Sequence, residues 1–248
     1  MKTQKSFKKK ALLSSLAMLM VALVALSSAT FAWFSTKTTA TAEKLSANTT
    51  QGTNLMISES KTSGWTQALT FANKDTTTLD PVSTDDLTKW YAAKADGWDD
   101  QKAGTGDNAL KEVGKTGYVL EQDIYVKYDA AEGDFNLNVS LNPTANSGTL
   151  DYYRVAITPI TTDADLQTPA GFTQNIYANS AEVRADDATY ANYTANTSTS
   201  NIALGKITAK QIYGYHVSIW FEGEDVDCID SNSTNDISLA FSFAGTIA

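Results

Sequence analysis

The chain has 248 residues, with 28 Asp and Glu against 19 Lys and Arg, a formal net charge of −9, one cysteine and one histidine. That acidic balance repels nucleic acid, and no basic patch offers it a footprint, so DNA and RNA are excluded as partners. A lone cysteine allows no intramolecular disulfide, and one Cys with one His cannot build the usual closed zinc sites.

The first ten residues carry Lys2, Lys5, Lys8, Lys9 and Lys10 and no acid. An uncharged stretch follows from Ala11, and its most apolar part, Leu16–Leu26, has the length of a signal-peptide core and is short for a membrane span. Small residues then lead to Thr30-Phe31-Ala32. A signal peptidase requires small side chains at its −1 and −3 pockets, which Ala32 with Thr30 supplies and Ala29 with Ser27 also supplies. Residues 1–32 are therefore expected to form a helical secretory signal peptide. The alternative is an uncleaved anchor, with Trp33 and Phe34 at the membrane interface. The leader holds five of the basic residues and none of the acidic ones, so the rest of the chain carries a net charge of −14. A secreted or cell-surface protein is the expectation, with the membrane touched only through the leader before cleavage.

Residues 33–51 are rich in Thr, Ala and Ser and read as an extended arm or a weak first strand. Residues 52–248 are expected to form one domain. Asn54–Ser58 and Gln67–Ala72 are short predicted strands. Ser83–Gly97 is a predicted helix: Ser83 or Thr84 caps it, Asp85 and Asp86 occupy the first turn, Leu87, Trp90, Tyr91 and Lys94 follow helical spacing, and Gly97 stops it. Trp98–Gly117 is polar and glycine-rich, the composition of a surface loop.

From Tyr118 the period changes to 2. Tyr118, Leu120, Gln122, Ile124 and Val126 alternate with mostly polar neighbours. Phe135, Leu137, Val139 and Leu141 do so more cleanly until Pro143 ends the strand. Tyr153, Val155 and Ile157 continue the pattern until Pro159. Ala185–Asn201 has no aliphatic residue larger than Ala and is predicted as a long exposed loop. Strands return at Ile202–Thr208, Ile212–Glu222 and Ile237–Phe243. About eight half-buried strands, one inserted helix and long polar loops indicate a mainly β protein, an antiparallel β-sandwich.

Chemistry-bearing motifs are few. His216 lies inside the strand pattern Tyr213–Phe221 and reads as structural, with no G-x-S-x-G elbow elsewhere. No H-E-x-x-H, P-loop or dinucleotide fingerprint occurs. No catalytic, metal-binding or cofactor-binding residue is assigned, no cofactor is expected, and an enzyme is not. The run Glu222-Gly223-Glu224-Asp225-Val226-Asp227-Cys228-Ile229-Asp230 is the densest polar cluster. It reads as a solvated acidic loop between the last two strands, with a surface calcium site as the alternative. Asn235 stands where an EF-hand loop needs glycine. Cys228, between Val226 and Ile229, reads as a small buried apolar residue. The Asn-x-Ser/Thr triplets at Asn48, Asn138, Asn192, Asn196 and Asn232 match chance in a chain this rich in Asn and Thr.

The segment Ala25–Ser35, with Thr30-Phe31-Ala32 before Trp33-Phe34, resembles the processing region of the TasA/camelysin family of Gram-positive bacteria. There a Thr-aromatic-Ala triplet precedes the cut made by a dedicated signal peptidase. The Thr/Ala/Lys-rich arm and the Asn54–Ser58 strand are also similar to that family's mature start. Trp220–Cys228 resembles an ending seen in uncharacterised exported proteins of gut Firmicutes. The resemblance implies a jelly-roll-like β-sandwich, Thr30, Ala32 and Trp33 as processing residues, and assembly into extracellular fibres or biofilm matrix. The metalloprotease activity attributed to some relatives is not carried over, because this chain lacks the histidines.

Two functions follow as expectations. The first is a fibre or matrix subunit that self-associates, with residues 33–51 either donated to a neighbour as an added strand or paired within their own sheet. The second is a monomeric adhesin or glycan-binding module, with Tyr177, Tyr190 and Tyr193 as candidate sugar-stacking residues. A hydrolase is disfavoured by the lone His216.

Overall fold

The computed structural model describes residues 40–49, 54–71, 77–92, 111–145, 151–179, 191, 193, 195–225, 228 and 236–248. The leader, with Thr30, Ala32 and Trp33, lies outside the described residues.

Thirteen strands run through them: β1 (Ala40–Thr49), β2 (Leu55–Ser58), β3 (Ala68–Thr70), β4 (Thr77–Leu79), β5 (Trp90–Ala92), β6 (Lys111–Val113), β7 (Val119–Tyr128), β8 (Asp134–Ala145), β9 (Tyr153–Pro159), β10 (Ile176–Ala178), β11 (Ile202–Thr208), β12 (Ile212–Phe221) and β13 (Asp236–Ile247). They form a six-stranded sheet ordered β11-β8-β13-β1-β3, with β4 also on β1, and a five-stranded sheet ordered β10-β9-β12-β7-β2. A separate ribbon pairs β5 with β6. The protein is thus mainly β, and its sheets are antiparallel except where β1 runs parallel to β13.

The alternation read from the sequence maps onto burial. Phe135, Leu137, Val139 and Leu141 of β8 and Leu239, Phe241 and Phe243 of β13 all enter the main core, while Asn136, Asn138 and Ser140 do not. Tyr213, Tyr215, Val217, Ile219 and Phe221 of β12, with Tyr153, Val155 and Ile157 of β9, enter the same core from the other sheet. Each pleated strand sends every second side chain to one face, so two alternating strands make one apolar surface.

Two expectations need correction. Residues 83–92 are not helical, and 93–97 lie outside the described residues. Thr84 Oγ1 accepts from Leu87 N at 3.0 Å and donates to Lys89 O at 2.7 Å, and Asp86 Oδ1 accepts from Thr88 N and Lys89 N. These side chains satisfy the backbone locally, which is how Thr and Asp compete with helix. Leu87 adopts φ 63°, outside the helical region. Trp90 then enters β5 and packs edge-to-face on Trp220 at 5.2 Å between centroids.

Pro143 does not end β8, which continues to Ala145 with Pro143 opposite Leu239. Leu141 N–H points away from β13, to Thr199 O at 2.8 Å. Strand periodicity aims the Pro143 nitrogen the same way, beyond the last β11 pair, so no ladder bond with β13 is lost.

Within 33–51, residues 40–49 form β1, the strand alternative of that reading, paired in an interior position of the six-stranded sheet with β13 on one side and β3 and β4 on the other. Leu45, Ala47 and Thr49 are buried there, a face too small to stand out in sequence. Of the expected exposed loop 185–201, residues 191, 193 and 195–201 are described, and Asn196, Thr197, Ser198, Ser200 and Asn201 are exposed as expected. Ala191 and Ala195 are buried, and Asn196 N–H donates to Ile176 O at 2.8 Å. Small residues suit close packing against β10 as well as they suit a loop.

Candidate functional site

On β9, Arg154 and Ala156 have the opposite parity to Tyr153, Val155 and Ile157, so they face away from the main core. On β12 the same parity falls to Trp220, which is the cross-strand partner of Arg154. Glu222 continues it beyond Phe221. This outer face is covered by a second apolar cluster of Val82, Trp90, Ala92, Val119, Ile176 and Trp220, with Leu87 and Tyr193 packed against it. Val82 N–H donates to Phe221 O, and Gly223 N–H to Val82 O, which brings residues 81–92 over the end of β12.

Beneath that cover is a buried polar network. Arg154 Nη2 donates to Asp225 Oδ2 at 2.5 Å, with neither side chain exposed. Arg154 Nε donates to Tyr193 Oη at 3.2 Å, and Nη1 donates to the carbonyls of Asp151 and Tyr153. Tyr193 Oη donates in turn to Glu222 Oε2 at 2.6 Å. Trp220 Nε1 donates to the same oxygen at 3.2 Å, and Glu224 N–H donates to Glu222 Oε1 at 3.1 Å. Glu224 Oε2 accepts from Ala191 N–H at 2.7 Å. Segments distant in sequence are therefore tied together by donors and acceptors that are largely buried.

Burial raises the proton affinity of the Glu222 carboxyl, opposed by its bonds from this network and by the nearby Arg154 charge. Burial, reinforced by the Glu222 charge, holds the Tyr193 phenol well above its ordinary value. Tyr153 is pushed up to about 12 by burial alone. Trp90 Nε1 and Tyr153 Oη are buried without a hydrogen-bond partner. The arrangement clamps structure: none of Arg154, Glu222 and Asp225 is open to a reactant.

The expected solvated acidic loop is therefore corrected at its start. Glu222, Glu224 and Asp225 turn inward because Arg154 and the donors around it compensate their charge. Positions 226, 227, 229 and 230 lie outside the described residues. Among the described residues no group of three His, Cys, Asp or Glu is arranged to hold a metal ion. Cys228 is buried in the main core. Tyr177 belongs to β10 and is buried, so its ring face is not free to stack on a sugar. Tyr193 is half-buried, and Tyr190 lies outside the described residues. Sequence reading missed Arg154. The available signal was a cation at the outward parity of an otherwise apolar strand.

His216 is a cross-strand bridge. Nδ1 lies 2.7 Å from Asp123 Oδ1 and Nε2 lies 2.9 Å from Glu121 Oε1, both acids on β7. The acids lie against opposite edges of the ring and do not converge on one point, so the trio does not form a metal-ligand set. The bond to Asp123 is the main cause raising the imidazole above its ordinary value. Lys115 Nζ reaches Glu121 Oε1 at 2.5 Å.

Compared with protein-family profiles, with characterised proteins and with solved structures, the chain has no significant match. Among the described residues no helix is long and apolar enough to cross a membrane.

Proposed function

We propose that this protein is an exported structural subunit of extracellular fibres or biofilm matrix, built as a jelly-roll-like β-sandwich and similar to the TasA/camelysin group. In this reading a signal peptidase cuts between Ala32 and Trp33, and the mature chain self-associates by strand addition. No catalytic role is assigned.

The observation that carries the reading is the register of β1. It pairs with β13 from Thr41↔Asp236 to Thr49↔Phe243, and among the described β1 side chains, those of residues 45–49, the buried apolar ones are Leu45 and the small Ala47. A main-chain ladder with little side-chain specificity is open to the same strand of another copy. Withdrawal of β1 would leave β13, with Leu239, Phe241 and Phe243, bare along one edge, the condition that favours pairing with a new strand. The leader junction supports export, and its removal would free the residues that precede β1.

The test is electron microscopy of protein beginning at Trp33, beside a variant lacking 33–51 and that variant supplied with a synthetic 33–51 peptide. Filaments from the first, none from the second, and tight capture of the peptide by the second are expected. Filaments from the truncated protein would exclude the donor role, and a strictly monomeric intact protein would exclude the subunit reading.

A further inference from the structure

The outer face of the six-stranded sheet is made of the residues that alternate with its core. On β8 these are the even-numbered positions 136–144, on β13 the even-numbered positions 238–246, and on β1 Ser46 and Asn48. Each is half-buried or exposed. Every one is Asn, Ser, Thr or Ala, so no side chain of this group stands taller than an amide and none is ionised. Thr70, Ser46, Ala240 and Asn142 lie abreast on four neighbouring strands. At the border, Asp134 and Lys206 pair with each other at 2.9 Å.

Much of the remaining β surface is already engaged. Lys206 of β11 exchanges two backbone bonds with Ala170, and Ile57 of β2 does the same with Thr66. The edge of β10 is bonded to Asn196. On β3, Thr66 Oγ1 accepts from Ala68 N–H and donates to Ala68 O. These bonds use the edge groups that a second copy would need for strand pairing. The outer face of the five-stranded sheet is covered in part by the second apolar cluster. It is also covered where Ile160 and Leu166 come within 3.0 Å of the point at which a Gly214 side chain would start.

The chemistry of the six-stranded sheet's outer face fits a second copy of this chain. A chain of net charge −9 repels its own copies, and rows of neutral side chains are where that repulsion is weakest. Amides and hydroxyls both donate and accept, so the face is complementary to itself, as a twofold contact requires. Asn142 Nδ2 donates to Ser242 Oγ at 3.0 Å, which orders both side chains across the strands before a partner arrives. The short Ala and Ser side chains have little rotamer freedom to lose. Five strands about 4.8 Å apart, the longest about ten residues, give a face of roughly 600–800 Å². A stable interface takes about 800 Å² from each partner. We propose that two copies of the chain pair face to face through the outer side of this sheet. The pairing uses the closed copy with β1 in place, so it rests neither on strand exchange nor on the fibre reading.

The test is sedimentation velocity of the full chain over about 1–100 μM, the weak end of the range for interfaces of this size. A dimer is expected. Asn138→Asp/Asn142→Asp keeps the side-chain shape and sets like charges against each other across the contact. It should weaken the dimer at least about tenfold and leave the melting temperature unchanged. Asn138→Lys/Asn142→Lys should also weaken it, and an equal mixture of the two variants should form mixed dimers more tightly than either variant pairs with itself. That recovery cannot come from a folding defect, so it keeps the test valid if one variant is destabilised. A strictly monomeric chain overturns the proposal, whether or not it binds an insoluble polysaccharide instead. So does a dimer that both variants leave unchanged, or a mixture that associates no better than its components. Filaments from a chain without this pairing would remove the proposal and leave the fibre reading standing.

Discussion

Arg154 and Asp225, 71 residues apart in sequence, meet at 2.5 Å with neither side chain exposed. Each charge has lost its water, and each is compensated chiefly by the other. The contact fastens the segment after β12 to β9, and through Tyr193 and Glu222 it also fastens residues near 191–195.

Removing one member should cost far more than a surface pair would. Asp225→Asn is expected to destabilise the fold by about 3–5 kcal/mol, because buried Arg154 keeps its charge but loses the carboxylate bonded to it. Urea unfolding measures this. The double variant Arg154→Met/Asp225→Leu should recover much of the loss. A cost for Asp225→Asn near that of an exposed pair, about 0–1 kcal/mol, would show that water reaches the site.

Tyr193→Phe removes one hydroxyl that serves two groups, accepting from Arg154 and donating to Glu222. A loss of about 1–3 kcal/mol is expected, since both partners stay buried with a bond missing. Thermal unfolding checks it. Trp220 emission should also shift, because its indole N–H shares the Glu222 oxygen.

Gly245 lies where β13 crosses β8 so closely that an added Cβ would fall 2.0 Å from Asn136 O. Gly245→Ala should cost about 3 kcal/mol by forcing the two strands apart. Gly114 has nothing within 4 Å of the same position. Gly114→Ala should therefore change stability by no more than about 0.5 kcal/mol. Equal effects in chemical denaturation would contradict the close approach of these strands.

His216 gives stability a pH dependence of known sign. Its folded-state pKa is raised above the ordinary 6.5, chiefly by Asp123, so the folded state holds the proton more tightly than the unfolded one. That contribution is complete below about 6.5 and is lost as pH rises through the folded value. Glu121 acts oppositely: burial raises it, but Lys115 and His216 outweigh that, and its contribution is lost only as pH falls below the carboxylate range. Urea midpoints from about pH 5.5 to about pH 9 should fall on the alkaline side for the native chain, and His216→Gln should flatten that slope.

Sequence alone determined the strands whose pattern is local. In β7, β8, β9, β12 and β13 the alternation of apolar and polar residues states both the conformation and the buried face, because a pleated backbone exposes every second residue whatever its partner is. It could not decide Ser83–Gly97. Leu87, Trp90 and Tyr91 have helical spacing, yet the ring that Trp90 packs on, Trp220, lies far along the chain. Nor could it decide β1, whose small buried face is legible only once β13 lies beside it. The acidic run was ambiguous for the same reason. Whether Glu222, Glu224 and Asp225 stay in water depends on whether a cation waits inside, and only the pairing of β9 with β12 put Arg154 there. Local periodicity is a property of neighbours in sequence, whereas desolvating a charge is decided by neighbours in space.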